Sequence, residues 1–301
     1  MMTLPPPAAV AAAPASTPLT LESAFVLARF SARRVASPES VLASDAPASD
    51  KVSAIDAIHS KIPSEPKAKK IAALDDLIAA ASGAGQPPEV RAKALTFAGY
   101  AMPQVDDDAA RSRALSVLLG ALKQPAYRIF ALRGLGPACH GLPKTGEPLL
   151  QGALLDLLDS GVAGEERETA LVALFSFVST RDDLFKRAPS LVAELDRRLL
   201  GPIEADPARF VEDPRFTSGA RAMAVATLWT SARHREELGQ PAPGARVHAL
   251  LVRLCGIETD ETVLGWLKTY LDAAPAKPEA GLDPVLRDST TRRAPAGPDE
   301  P

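Results

Sequence analysis

Four short segments of the chain repeat one pattern at wide, nearly even intervals. "VRAKALTFAG" (90–99), "YRIFALRGLG" (127–136), "ERETALVALF" (166–175) and "ARAMAVATLW" (220–229) each place an arginine three residues before an alanine, followed by Leu or Val. The arginines are Arg91, Arg128, Arg167 and Arg221, at spacings of 37, 39 and 54. Lys51 lies 40 residues before Arg91 and keeps the alanine at Ala54. Glu261 lies 40 after Arg221, with Leu264 in the alanine's place. A period near forty is the length of one helix pair, and a pair that size cannot bury its apolar face alone. Stacked copies can. The alanine then marks where neighbouring helices approach, because a leucine there would hold the axes apart.

The local pattern agrees with an all-α chain. "PKAKKIAALDDLIAAASGA" and "DDAARSRALSVLLGALKQ" repeat apolar residues at three and four positions, as one buried helix face requires. Stop signals follow at helical intervals, and no run of alternating Val, Ile, Thr or Tyr suggests a strand. Between the repeat segments, partner helices are expected at about 21–34, 66–82, 106–123, 146–159, 181–200 and 241–255, the fifth split by Pro189. Six helix pairs over residues 20–273 give an α-α superhelix. Residues 1–19 and 274–301 are Pro-rich tails without regular structure, and 36–50 is an internal loop.

These segments resemble the HEAT-repeat (armadillo-like) family, and "PPEVRAKALTFAG" looks very like that family's second helix with the turn before it. The resemblance covers roughly residues 20–273 and implies a HEAT-like solenoid. It also implies that Arg91, Arg128, Arg167 and Arg221 are structural residues, hydrogen-bonded near the turn between paired helices. The family's companion aspartate has no counterpart at Ala126 or Gly219, which leaves a polar ladder incomplete on this reading.

The 54-residue interval has a local cause. "GPIEADPARFVEDPRF" (201–216) adds a loop's worth of residues with three prolines. Insertions in repeat stacks mark binding faces. Arg209, Phe210 and Phe216 are therefore the candidate partner-binding residues, with two readings open. The phenylalanines either stand out as anchors or fold back on the helices.

Catalytic and cofactor patterns are weak. In "GLGPACHGLPKTGEP" (134–148), Gly136 and Gly141 have a phosphate-loop spacing, but Leu142 and Pro143 come before Lys144, and the preceding segment is helical. The stretch reads as a connector, with Gly134 and Gly136 as helix C-terminal glycines at positive φ. Cys139 and His140 are neighbours on one chain, which rarely puts a nucleophile and its base face to face. His59, His234 and His248 show no metal spacing, and "DDD" at 106–108 is better explained as helix capping. No catalytic residue, cofactor site or metal site is assigned.

The formal net charge of −3 and 5% aromatic content argue against a nucleic-acid binder. Basic groups at Lys67, Lys69, Lys70, Arg197 and Arg198 are interleaved with acids. No apolar run is long enough to span a bilayer, and the start lacks the positive charge of a signal peptide. Two cysteines make no disulfide framework, so a cytoplasmic protein is expected, unless the true coding start lies upstream and supplies a leader. The expected function is a non-catalytic protein-binding scaffold or adaptor whose partner is a protein or peptide segment. The alternatives are a nucleic-acid-binding HEAT-like protein of the DNA-repair type and a HEAT-like lyase.

Overall fold

The computed structural model describes residues 36–181 and 183–273, and among these there is no strand. Short α1 (Pro38–Ala43) leads into α2 (Ala48–Lys61). Then come α3 (Lys67–Ser82), α4 (Pro88–Ala101), α5 (Asp108–Leu122), α6 (Pro125–Ala138), α7 (Glu147–Asp159) and α8 (Gly164–Ser179). Four short helices follow: α9 (Leu184–Arg187), α10 (Pro189–Leu195), α11 (Gly201–Ala205) and α12 (Pro207–Glu212), with a π-turn at Asp196–Leu200 between α10 and α11. The last three are α13 (Ser218–Glu237), α14 (Pro241–Cys255) and α15 (Glu261–Ala273).

Many of the prolines start helices rather than stop them. Pro38, Pro88, Pro125, Pro189 and Pro207 stand in the first turn, where a backbone N–H has no intrahelical partner to lose. Side-chain caps set other starts: Asp107 accepts from the Ala110 N–H at 2.9 Å, and Thr217 from the Ala220 N–H at 3.0 Å. Asp107 is the middle residue of the acidic triplet, so capping accounts for it.

One expectation is corrected here. Residues 36–50 are not a loop, because Ser37 caps and Pro38 opens α1, and α2 has begun by Ala48. The break in the 181–200 segment falls at Ala188, immediately before Pro189, as the proline requires. The expected helix at 21–34 and both Pro-rich tails lie outside the described residues.

The helices form two rows. In one, α2, α4, α6, α8, α13 and α15 each pack on the next. In the other, α1 meets α3, α3 meets α5, α7 meets α10 and α12 meets α14. Within pairs, α3 packs on α4, α5 on α6, α7 on α8 and α14 on α13. The core runs between the rows through Leu74, Leu95, Leu118, Leu132, Leu150 and Phe177, all fully buried. The repeat alanines Ala54, Ala94, Ala131, Ala170 and Ala224 are also buried, where their size admits the neighbouring helix.

The closest approach belongs to glycine. A Cβ on Gly99 of α4 would collide with the Gly134 carbonyl of α6, and one on Gly134 would lie 2.8 Å from the Leu95 carbonyl oxygen. Gly134 and Gly136 thus sit inside α6 and are not left-handed caps. The positive-φ glycines among the described residues are Gly161, Gly164 and Gly239.

The "CHGLPKTG" stretch after α6 is the connector that the sequence suggested. It forms two short 3₁₀ turns, Cys139–Gly141 and Lys144–Gly146. Gly141 packs against the Met102 carbonyl of the equivalent earlier turn, where a Cβ would come within 2.7 Å. Arg181 donates to the carbonyls of Cys139 and Leu142 at 2.6 and 2.8 Å and holds the turn down. Lys144 points outward, with its ammonium 3.7 Å from Asp183. Beneath this turn, Glu147 is buried and receives both terminal nitrogens of Arg187 at 2.8 and 3.0 Å, with Arg181 at 3.5 Å.

Candidate functional site

The four repeat arginines share one geometry. Each donates backward to a carbonyl near the turn just before its own helix: Arg91 to Ala81 (3.2 Å), Arg128 to Leu122 (2.9 Å), Arg167 to Val162 (2.6 Å) and Arg221 to Phe216 (3.0 Å). Helix C-terminal carbonyls have no intrahelical partner, so a guanidinium is well placed there.

Each arginine also reaches forward to the next pair. Arg91 donates to the Tyr127 hydroxyl at 3.1 Å and lies over its ring. Arg128 donates to Glu166 at 3.0 Å. Arg167 lies 4.3 Å from the Phe216 ring centroid. Arg221 holds the buried Glu258 in a two-pronged pair at 2.7 and 3.0 Å. Lys51 does the same job ahead of them, donating to Gln86 at 3.0 Å. The rungs are therefore filled by Gln, Tyr, Glu and Phe in place of the absent aspartate, each lying a few residues before the next basic or helix-opening position. A second set of ties links the other row, from Arg113 to Asp75 at 2.8 Å and from Arg198 to Asp159 at 2.6 Å.

The inserted segment 201–216 folds into α11, α12 and a short turn, and it closes one side of a cleft of about 500 Å³. Phe210 is 6% exposed and meets Phe216 edge to face, with ring centroids 4.8 Å apart. The two phenylalanines therefore fold back, the second of the two readings that the sequence left open. A ring on Arg167 and on its neighbour ring buries more apolar surface than one left in water. Their packing still makes the cleft, whose apolar wall includes Leu155, Leu158, Leu171, Leu199 and Ile203. Arg209, also in the lining, is exposed and keeps its guanidinium free of ion pairs among the described residues.

Charge in the cleft is organised around arginine. Arg215 grips Asp213 through Nη2 at 2.6 Å and Nε at 2.9 Å. That hydrogen bond pulls the Asp213 carboxyl down to about 2, against the opposing effect of burial. Arg167 is pushed the other way: burial and the neighbouring Arg215 charge lower its pKa from the ordinary guanidinium value.

The other sequence candidates are not brought together. Cys139 is buried, its thiol pushed up to about 12 by burial and pointed at the Leu135 carbonyl, while His140 is exposed. Among the described residues, no three His, Cys, Asp or Glu side chains are grouped to hold a metal ion. His59 instead packs against Phe97, with ring centroids 4.6 Å apart, and burial lowers its pKa. Four of the five basic candidates are paired with acids, Lys69 with Glu65, Lys67 with Asp106, Arg197 with Glu194 and Arg198 with Asp159, while Lys70 has no acid partner among the described residues.

Large apolar side chains are left in solvent along the row α2–α15. Tyr100 of α4 is 47% exposed, Val172 of α8 39% and Trp266 of α15 40%. Phe97, Phe130 and Trp229 of the same row are half-buried beside them. The charges between them are mixed, with Lys93 bonded to Asp56 and Arg133 to Glu165. Among the described residues, no helix is long and apolar enough to cross a membrane. No family model, no curated protein and no solved structure matches the chain.

Proposed function

We propose that the chain is a HEAT-like α-solenoid that acts as a non-catalytic protein-binding scaffold or adaptor. The support for the solenoid is the succession of helix pairs, each packed mainly on the next and joined by the forward-reaching side chains. The observation that carries the binding role is the set of exposed apolar side chains, Tyr100, Val172 and Trp266, on one row of helices. Aromatic and aliphatic groups in solvent, bordered by paired charges of both signs, are what a protein interface presents before it is covered. A segment of another protein laid across that row would bury them. A nucleic acid is poorly matched, because Lys93, Arg128, Arg133 and Arg221 of the row are paired with carboxylates, and Arg91 and Arg167 are turned into the turns between helices.

The test compares capture from native lysate by the intact chain and by a Tyr100→Glu, Trp266→Glu double variant, with and without nuclease. Both residues are exposed, so the variant should melt at the same temperature as the parent. A partner that survives nuclease and is lost with the variant supports the reading. Partners that bind the variant equally well, or that disappear with nuclease, overturn it.

A further inference from the structure

The cleft beside the inserted segment carries an inference independent of that surface. Its lining holds four arginines (Arg167, Arg198, Arg209 and Arg215) and three aspartates (Asp159, Asp206 and Asp213). All three carboxylates are engaged. Asp159 accepts from Arg198, Asp213 accepts from Arg215, and Asp206 caps α12 by accepting the Arg209 N–H at 3.0 Å. Arg198 also has Asp156, at 2.9 Å. That leaves Arg167 and Arg209 without a carboxylate partner among the described residues.

Arg167 is the unusual one. It is 5% exposed, yet its hydrogen bonds go to two neutral carbonyls, Val162 at 2.6 Å and Leu158 at 2.8 Å, and its face lies on Phe216. Its third nitrogen, Nη1, makes no hydrogen bond to another described residue and is reached by solvent. Asp213 and Asp159 offset the Arg167 charge from nearby without bonding to it, so an anion seated in the cleft would stabilise it further. The rest of the lining is largely apolar, and the volume lies within the range of small-molecule sites.

We propose that this cleft binds a small amphipathic carboxylate. Its apolar body lies on Leu155, Leu171, Ile203 and the Phe210–Phe216 pair, and its carboxylate sits in the arginine-rich mouth. Arg167 and Arg209 are the two lining guanidinium groups with no bonded carboxylate among the described residues, which suits one anionic headgroup, and the largely apolar wall has no use for a second. Charge-assisted hydrogen bonds from planar guanidinium groups suit a carboxylate's two oxygens.

The test is calorimetric titration of the full chain with octanoate and, separately, with 1-octanol, which keeps the apolar body and lacks the charge. Octanoate is expected to bind saturably at one site, and octanol about tenfold more weakly or worse. Ala205→Trp places a bulky ring at the exposed rim of the cleft and should abolish octanoate binding. Arg209→Glu changes only an exposed side chain and should weaken octanoate by about tenfold, so the question is decided even if the tryptophan variant fails to fold. Absence of saturation, equal binding of octanol, or unchanged octanoate binding by Arg209→Glu would each overturn the proposal.

Discussion

Arg128 and Glu166 are joined across two successive helix pairs, with Nη1 3.0 Å from the carboxylate oxygen while Nε holds the Leu122 carbonyl at 2.9 Å. One guanidinium thus closes its own turn and grips the next pair. The two side chains are 19% and 29% exposed, so water screens the pair only in part. A double-mutant cycle of Arg128→Met and Glu166→Gln, measured by urea unfolding, should give a coupling of about 1 kcal/mol. A coupling near zero would mean that each group bonds water equally well.

Gly134 and Gly136 occupy the same helix two residues apart and should respond oppositely to alanine. At Gly134 a Cβ lies 2.8 Å from the Leu95 carbonyl, so Gly134→Ala must push α4 and α6 apart, at a cost of about 2 kcal/mol. At Gly136 the nearest atom is the Ser176 hydroxyl, 3.8 Å away. Gly136→Ala should therefore gain about 0.5 kcal/mol from helix propensity. Ala131→Phe, at a wholly buried repeat position, should lower the melting temperature markedly. Thermal melts of the three variants check the order.

Glu147 is 1% exposed between Arg181 and Arg187. Glu147→Gln keeps the shape and removes the charge, leaving two guanidinium groups against each other. Breaking a buried pair from one side costs about 3 kcal/mol. Replacing Arg197, which is mostly in solvent beside a half-exposed Glu194, should cost well under that. Chemical denaturation of both variants separates the cases.

The Asp213–Arg215 pair sets an acid limit on the cleft. The Asp213 carboxyl is lowered from 3.8 to about 2 by the Arg215 hydrogen bond. A carboxyl with a depressed folded-state pKa contributes stability that is complete above its unfolded value and fades as pH falls through the folded one. The contribution should therefore be intact above about pH 4 and lost toward pH 2. Asp213→Asn should flatten the stability profile over that window, as followed by circular dichroism melts at graded pH.

Cys139 should be silent toward thiol reagents in the native state, since it is buried with its thiol pushed up to about 12. Cys255 is only partly buried, and burial also raises its pKa, so it should react slowly. A thiol count with an aromatic disulfide should find a single slow group before urea and two after it.

Much of the helix plan was legible because prolines and apolar spacing act locally. The expected segments 66–82, 106–123 and 146–159 differ by one or two residues from α3, α5 and α7. The arginine spacing was legible for the same reason. Its forward partners were not, because Tyr127, Glu166, Phe216 and Glu258 have no common chemistry. A hydroxyl, two carboxylates and a ring face all satisfy a guanidinium, by hydrogen bond, ion pair or cation–π contact, and only geometry shows the equivalence. The signal lay in position: Tyr127 and Glu166 each stand immediately before the next arginine. Gly134 was misread because a packing glycine and a capping glycine look alike without φ. At 201–216, the length of the interval pointed to the cleft, but the direction of Phe216 depended on Arg167, 49 residues away in the chain, and Phe210 packs on Phe216 in turn.

The adjacency of Glu166 and Arg167 has a consequence for how such a chain can grow. The socket for the previous unit and the plug for the following one are carried side by side on one short stretch. A copied or deleted unit therefore takes both with it, and the flanking units meet a compatible joint. Extra residues spliced in upstream of the corresponding joint at Phe216 and Arg221, as at 201–213, lengthen the chain while Arg167 still meets Phe216. New surface can be added there, between units, while the register of everything after it stays the same.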